Sequence, residues 1–204
     1  MAGRFLSFEG IDGSGKSTQA RLLAEALRGL GLTVVLTREP GGSPGAEEIR
    51  RLVLQGDPDR WSPQTEALLF TAARRDHLEK TILPALSRGE VVITDRFADS
   101  TRMYQGLRGN LDTVNRLHDL MIAIDPDLTF LIDIDPALGL SRAVARAGPE
   151  QRFEEMGLAL QTAMRAGFLD LAARHPRFAV IDGARGPEAV ATDIFARARA
   201  HLGV

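Results

Sequence analysis

Nine residues constrain this chain more than any other stretch: Gly10-Ile11-Asp12-Gly13-Ser14-Gly15-Lys16-Ser17-Thr18. They fit G-x-x-x-x-G-K-[ST], and both flanks agree with that pattern. Phe5-Leu6-Ser7-Phe8 reads as a buried strand, and the run from Ala20 to Leu30 has helical spacing at Leu22, Leu23, Ala26, Leu27 and Leu30. A glycine-rich turn between a strand and a helix lets successive backbone N–H groups converge on an anion, and the helix N-terminus adds partial positive charge. In such a loop Lys16 reaches the outer phosphates and the Ser17 hydroxyl holds Mg2+. The chain has only two lysines, Lys16 and Lys80, and uses arginine elsewhere. One of the two stands where the pattern requires it.

Strand-like apolar runs recur at Arg4–Phe8, Thr33–Thr37, Val91–Thr94, Leu128–Ile134 and Phe178–Ile181, with helical patterns between them. This alternation predicts an α/β fold, a parallel sheet with helices on both faces. The 204 residues suffice for one such domain, 1–204, and no linker or repeat divides them. A net charge of -2 gives no general footprint for nucleic acid or a membrane surface, so any anion site must be local. Absence of cysteine excludes disulfides and thiolate chemistry. No signal peptide or long apolar span is expected, and cytoplasm is the default location.

Other stretches leave alternatives open on their residues alone. Arg38-Glu39-Pro40-Gly41-Gly42 breaks the second strand at its carboxyl edge, where open α/β sheets bind ligands, or is a plain polar turn. Ser62 before Pro63 reads as a helix N-cap opening a pattern that runs to about Leu86, with Leu78, Ile82 and Leu86 as its core stripe. Phe70 and Arg74 share a face of that helix. They suit stacking on a flat base and bonding its edge, or they are a core phenylalanine and a solvated arginine. Val91-Val92-Ile93-Thr94-Asp95 ends as a Walker-B strand does, with a carboxylate for Mg2+, yet Asp95-Arg96 is equally a surface ion pair. Asp135-Pro136 reads as a helix cap. Arg142, Arg146 and Arg152 surround the Gly148-Pro149 break, as a basic flap over phosphates or as a solvated face. Val190, Ile194, Ala198 and Leu202 form a core stripe. The four histidines show no metal spacing and are assigned no chemistry.

Five segments in this order resemble the thymidylate kinases, a branch of the P-loop nucleoside monophosphate kinases. They are Phe8-Glu9-Gly10 through Thr18, Thr37-Arg38-Glu39-Pro40-Gly41-Gly42, Leu69-Phe70-Thr71-Ala72-Ala73-Arg74, Asp95-Arg96-Phe97 and Ser100-Thr101-Arg102-Met103-Tyr104-Gln105-Gly106. The resemblance implies a three-layer P-loop kinase sandwich with a five-stranded parallel sheet, a homodimer, and transfer of the ATP γ-phosphoryl to dTMP with Mg2+. It implies that Gly10, Ile11, Asp12, Gly13, Ser14, Gly15, Lys16, Ser17 and Thr18 bind ATP. It places Asp12 at the acceptor's 3′-hydroxyl, Arg38 and Arg96 at its phosphate, Phe70 and Arg74 on thymine, Thr101 and Gln105 at the base, and Tyr104 at the sugar 2′ position. Glu9 and Asp95 are the carboxylates near Mg2+, with Ser17. Lys16, Arg96, Arg142, Arg146 and Arg152 supply positive charge for catalysis, the last three from a mobile lid at about 142–154.

Two departures stand out. The lid reads Gln151-Arg152-Phe153-Glu154 where the family usually has Asp-Arg, and Met103 precedes Tyr104 where many members have alanine. The loop holds no arginine of its own, which is the bacterial arrangement. A GTPase-type switch would need an [N/T]-K-x-D base-reading motif, and Lys80 lies instead in Glu79-Lys80-Thr81-Ile82.

Overall fold

The computed structural model describes residues 3–57, 59–145 and 157–204. In chain order these are β1 (Arg4–Glu9), α1 (Lys16–Gly29), β2 (Val34–Arg38), α2 (Pro44–Leu54), α3 (Pro63–His77), α4 (Leu83–Ser87), β3 (Val91–Asp95), α5 (Ala98–Thr101), α6 (Leu111–Met121), β4 (Leu128–Asp133), α7 (Pro136–Ala145), α8 (Gly157–Arg174), β5 (Phe178–Asp182) and α9 (Pro187–Leu202). The five strands form one parallel sheet in the order β2-β3-β1-β4-β5. The sheet lies within a residue or so of the five expected runs.

Period-two alternation decides which face each side chain takes. Leu6, Phe8, Ile93, Phe130, Ile132 and Ile181 pack against α1 and α9, meeting Leu23, Leu27, Val190, Ile194, Ala198 and Leu202. The opposite face carries two separate clusters. Phe5 and Val92 pack with Phe97, Leu78, Ile82 and Ala85, while Leu131 and Ile134 pack with Ile11, Met103, Tyr104, Met164 and Phe168. Each large apolar side chain buried this way stabilises the fold by about 1.5–3 kcal/mol. The second of these clusters ties the phosphate loop and the Tyr104 segment to α8.

Two local expectations need correction. Helix α1 ends at Gly29, one residue short of the expected run, and Leu30 sits at its C-cap, 48% exposed. The long helix from Pro63 does not run unbroken to Leu86. It passes through a π-helical turn at Leu78–Ile82 before α4. Pro84 has no N–H for the carbonyl four residues back, which favours a change of hydrogen-bond pattern in the turn before it. Leu78 and Ile82 still reach the core, and Leu86 packs at its margin. A second π-helical turn, Arg102–Gly106, follows α5. The caps agree with expectation. Ser62 accepts from the Thr65 N–H, and Asp135 accepts from the Ala137 and Leu138 N–H groups.

An ion network anchors α5 to the far side of the sheet. Asp99 is buried and receives both ends of the Arg177 guanidinium at 2.8 Å, with Arg102 at 2.6 Å. Asp125 extends the network to Arg102, Arg177 and His118 at 3.4, 3.7 and 3.5 Å. Burial alone would raise the Asp125 carboxyl, but the His118 hydrogen bond and the two arginines outweigh it and hold it far below the usual carboxylate range. A depressed carboxyl contributes stability above its unfolded value of 3.8, and that contribution fades as pH falls below it. Asp125→Asn should therefore lower the melting temperature at pH 7, and its gap from the wild type should narrow as pH drops below 3.8. Thermal melts by circular dichroism across that range test this. A gap constant with pH would show that the carboxylate's charge contributes nothing.

Candidate active site

The phosphate loop leaves β1 and enters α1. Gly13 and Gly15 have φ of 71° and 96°, backbone that a side chain would strain, and Gly15 is the N-cap of α1. Lys16 is buried and folds back over the loop. Its Nζ donates to the Ile11 carbonyl at 2.7 Å and to Ser14 Oγ at 3.3 Å. Burial, reinforced by Arg96, pushes the Lys16 ammonium down to about 8, against the pull of Asp12, Asp95 and Glu9. Gly10 through Thr18 thus stand together, with Ser17 and Thr18 exposed on the first turn of α1.

The end of β3 supplies the opposing wall. Arg96 has φ 71°, an unusual conformation for a bulky residue and of a kind that costs roughly 1–3 kcal/mol. It is held there from both sides: its N–H donates to the Phe8 carbonyl at 2.9 Å, and its own carbonyl accepts from Thr94 Oγ1 at 2.8 Å. The guanidinium is thereby aimed at the loop, bonding Asp12 Oδ1 at 2.5 Å and the Gly10 carbonyl at 3.2 Å. Asp12 also receives the Tyr104 hydroxyl at 2.5 Å and Gln161 Nε2 at 2.9 Å, while its N–H donates to Gln161 Oε1 at 3.1 Å. Burial pushes the Asp12 carboxyl up, and Arg96, Lys16 and the two hydrogen bonds overcome that to leave it below the ordinary value.

The donor set suits a divalent cation in part. Ser17 Oγ hydrogen-bonds Asp95 Oδ2, and Asp95 Oδ1 is a buried oxygen with no hydrogen-bond partner among the described residues. Hard oxygen ligands with an open position fit Mg2+ completed by phosphate oxygens. Glu9 also braces the turn after β3. Its Oε1 accepts from the Phe97 and Ser100 N–H groups and its Oε2 from Ser100 Oγ, at 2.8, 3.2 and 2.6 Å. Oε2 takes one of these three bonds and keeps acceptor capacity. Burial, with Asp99 nearby, raises its carboxyl to about 7. Among the described residues no group of three or more carboxylates or histidines forms a metal cluster.

The remaining expected residues lie around this centre. Arg38, at the end of β2, is exposed and paired with Glu47 at 3.1 Å. Phe70 is half-buried on α3, one turn before Arg74. Arg74 is buried rather than solvated: Nε meets Glu39 at 2.7 Å and Nη2 meets Thr101 Oγ1 at 3.0 Å and the Phe97 carbonyl at 3.1 Å. Gln105 is buried and donates to Glu66 at 2.9 Å. Arg142 is exposed on α7. Arg146, Arg152, Gln151 and most of the expected lid lie outside the described residues. Sequence reasoning missed Gln161, Glu66 and His77. His77 is fully buried, between Thr37 Oγ1 at 2.8 Å and Glu39 Oε1 at 3.0 Å. A charged or polar residue inside an apolar helical stripe was the available signal for His77 and Glu66. Gln161 carried none.

A phosphate loop at the end of β1, a β3 carboxylate beside its serine, and a half-buried arginine facing the loop define a P-loop nucleotide-binding protein of the kinase kind. The family model for thymidylate kinase matches residues 8–194. Thymidylate kinase of Ruegeria pomeroyi is 68% identical over 203 residues, covering 98% of this chain and 96% of that one. That of Caulobacter vibrioides is 50% identical over 201 residues, covering 94% of each. The crystal structure of thymidylate kinase from Ehrlichia chaffeensis superposes with a TM-score of 0.77 at 35% identity, covering 97% of this chain and 99% of that one. The chain belongs to the thymidylate kinase family.

The loop's position depends on a close approach to α7. A Cβ added at Gly139 would lie 2.7 Å from the Asp12 carbonyl oxygen. Gly139→Ala should destabilise by about 1–3 kcal/mol through overpacking, a fall in melting temperature of roughly 2–12 °C for a chain of this size. Gly29→Ala, where the added Cβ meets nothing within 4 Å, should leave it unchanged or raise it. Calorimetry on both variants checks the contrast, and equal melting temperatures would remove the loop–α7 contact as a constraint.

Proposed function

We propose that this chain transfers the γ-phosphoryl group of ATP to dTMP, giving dTDP and ADP on the way to dTTP. The observation that carries this reading is the Asp12 cluster. One carboxylate inside the phosphate loop joins Lys16, on the donor side, to Arg96 and Tyr104, on the acceptor side. A site built that way brings two anions together, which is most of what phosphoryl transfer requires of a protein.

In this reading the loop's N–H groups and Lys16 hold the β- and γ-phosphates. Ser17 and Asp95 would hold Mg2+, whose charge would offset that of the phosphates. Arg96 and Arg38 take the acceptor phosphate, and Arg38 leaves Glu47 to do so. Asp12 accepts from the 3′-hydroxyl, and Tyr104 crowds the 2′ position. Phe70 stacks on the base while Arg74, Thr101 and Gln105 meet its edge. Arg142, Arg146 and Arg152 add positive charge over the transferring group. Closing the site against water prevents waste of ATP. Among the described residues no helix is long and apolar enough to cross a membrane, in keeping with a cytoplasmic enzyme.

A coupled assay with ATP and a panel of nucleoside monophosphates tests the reading. dTMP should exceed dCMP and UMP in kcat/KM by up to about 10⁴-fold, since a site that loses a base hydrogen bond discriminates strongly. Asp12→Asn should lower kcat/KM for both dTMP and 3′-deoxy-dTMP, since it breaks the Arg96 pair, and should cost dTMP more. Equal turnover of dCMP and dTMP would remove the base assignment, and equal losses on both sugars would remove the Asp12 contact.

The homodimer is carried over from the family resemblance, and we place its interface on the outer face of α3 and α6. Leu68, Leu120 and Met121 are 58%, 78% and 41% exposed. Leu68 and Met121 line a groove of about 470 Å³ together with Thr71, Ala72, Leu117 and the charged Arg75, Asp76 and Glu79. Exposed apolar side chains rimmed by charge suit a covering partner. Leu120→Glu should give a monomer by analytical ultracentrifugation where the wild type is a dimer. An unchanged sedimentation coefficient would move the interface elsewhere.

A further inference from the structure

Thymine and cytosine differ where a protein meets their edge. Thymine offers the O4 acceptor and the N3–H donor, and cytosine the N4 amino donor and an N3 acceptor. A site that reads thymine must present a donor and an acceptor in that order. A glutamine amide can present either, so something must fix which way it faces.

Glu66 is that constraint here. It lies on α3, four residues before Phe70, with its side chain fully buried. It receives Gln105 Nε2 at 2.9 Å and Arg108 Nη1 at 2.8 Å. A carboxylate paired with a guanidinium offers only acceptor oxygens, so the Gln105 amide must turn its NH2 toward it. The carbonyl Oε1 is then directed away from Glu66. Gln105 follows Thr101 by four residues, in the π-helical turn after α5, and both are buried. Thr101 in turn touches Arg74. Arg74 is fixed in the same fashion, its Nε on buried Glu39 at 2.7 Å.

We propose that Glu66 is a specificity-determining positioning residue: it orients the Gln105 amide so that a nucleobase meets Oε1 as an acceptor beside the Arg74 donor, which selects thymine's O4/N3–H edge over the N4/N3 edge of cytosine. This rests on the placing of Gln105 and Arg74 at the base under the proposed function. Glu66 itself touches no substrate. Its removal would leave an amide free to rotate and serve both bases.

The comparison uses dTMP and 5-methyl-dCMP, which share the methyl group and differ only in the edge being read. In Glu66→Gln, the introduced amide can accept or donate, so Gln105 is no longer fixed. The ratio of kcat/KM for dTMP over 5-methyl-dCMP should fall at least about 10-fold, through KM of the nucleotide acceptor, with KM for ATP unchanged. In the double exchange Glu66→Gln with Gln105→Glu, the carboxylate at 105 can only accept, and the preference for dTMP should return. A merely structural role for Glu66 would lower both substrates together and would not be rescued. If Gln105→Leu loses the preference while Glu66→Gln keeps it, the proposal falls and the base reading stands. If Gln105→Leu keeps the preference, the base reading falls and takes the proposal with it. Should Glu66→Gln fail to fold, a crystal structure of the wild type with dTMP decides. The base N3 should face the end of the Gln105 amide remote from Glu66, and N3 facing any other group overturns the proposal.

Discussion

The Arg96–Asp12 pair is the interaction on which the site depends. It crosses from the end of β3 to the middle of the phosphate loop and so fixes the distance between the two halves of the cleft. Burial opposes the charge of both; Arg96 leads the groups that counter it for Asp12, and Tyr104 and Asp12 lead those that counter it for Arg96. The left-handed backbone at Arg96 is what aims the guanidinium inward, and the parallel pairing of β1 with β3 is what places Phe8 to hold that backbone. The sheet register is therefore transmitted, through one strained residue, to the geometry of the loop.

Much of this was legible in the residues. The glycine pattern between an apolar strand and an amphipathic helix left one architecture, and five β-rich runs separated by helical patterns left one kind of sheet. These are strong signals because burial enforces period two on strands and period 3.6 on helices. The π-helical turns were not legible. They arise from one extra residue in a helix, which leaves the composition of the stretch unchanged and only shifts which side chains face inward. Leu30 failed for a related reason, since a spacing pattern does not register where a helix ends.

At the site, the motif residues were legible and their partners were not. Arg74 has the sequence appearance of a solvated arginine, and only the fold shows Glu39 delivered to its Nε by the turn after β2. His77 carries no metal spacing, yet it spans Thr37 and Glu39 in the interior. Glu9 has distant partners as well. It stands beside the loop, and the two N–H groups it receives come from residues 88 and 91 positions later. Long-range partners of this kind are set by topology, and no local window of sequence contains them.

A cleft for binding anions has reason to avoid carboxylates, yet this one has five in and around its walls: Glu9, Asp12, Glu39, Glu66 and Asp95. Their arrangement explains why. Without ligand, buried guanidinium and ammonium groups repel each other, as the effect of Arg96 on Lys16 shows. A carboxylate beside each cation relieves that repulsion and fixes the direction of its remaining N–H groups. Glu39 does so for Arg74 and Asp12 for Arg96. Asp12, Asp95 and Glu9 also keep the Lys16 ammonium from losing its proton more readily still, by opposing the burial that pushes it down. The cations are thus oriented before any phosphate arrives, and the entropy of ordering them is already lost in folding. Negative charge in the walls is what makes the positive charge of the cleft usable.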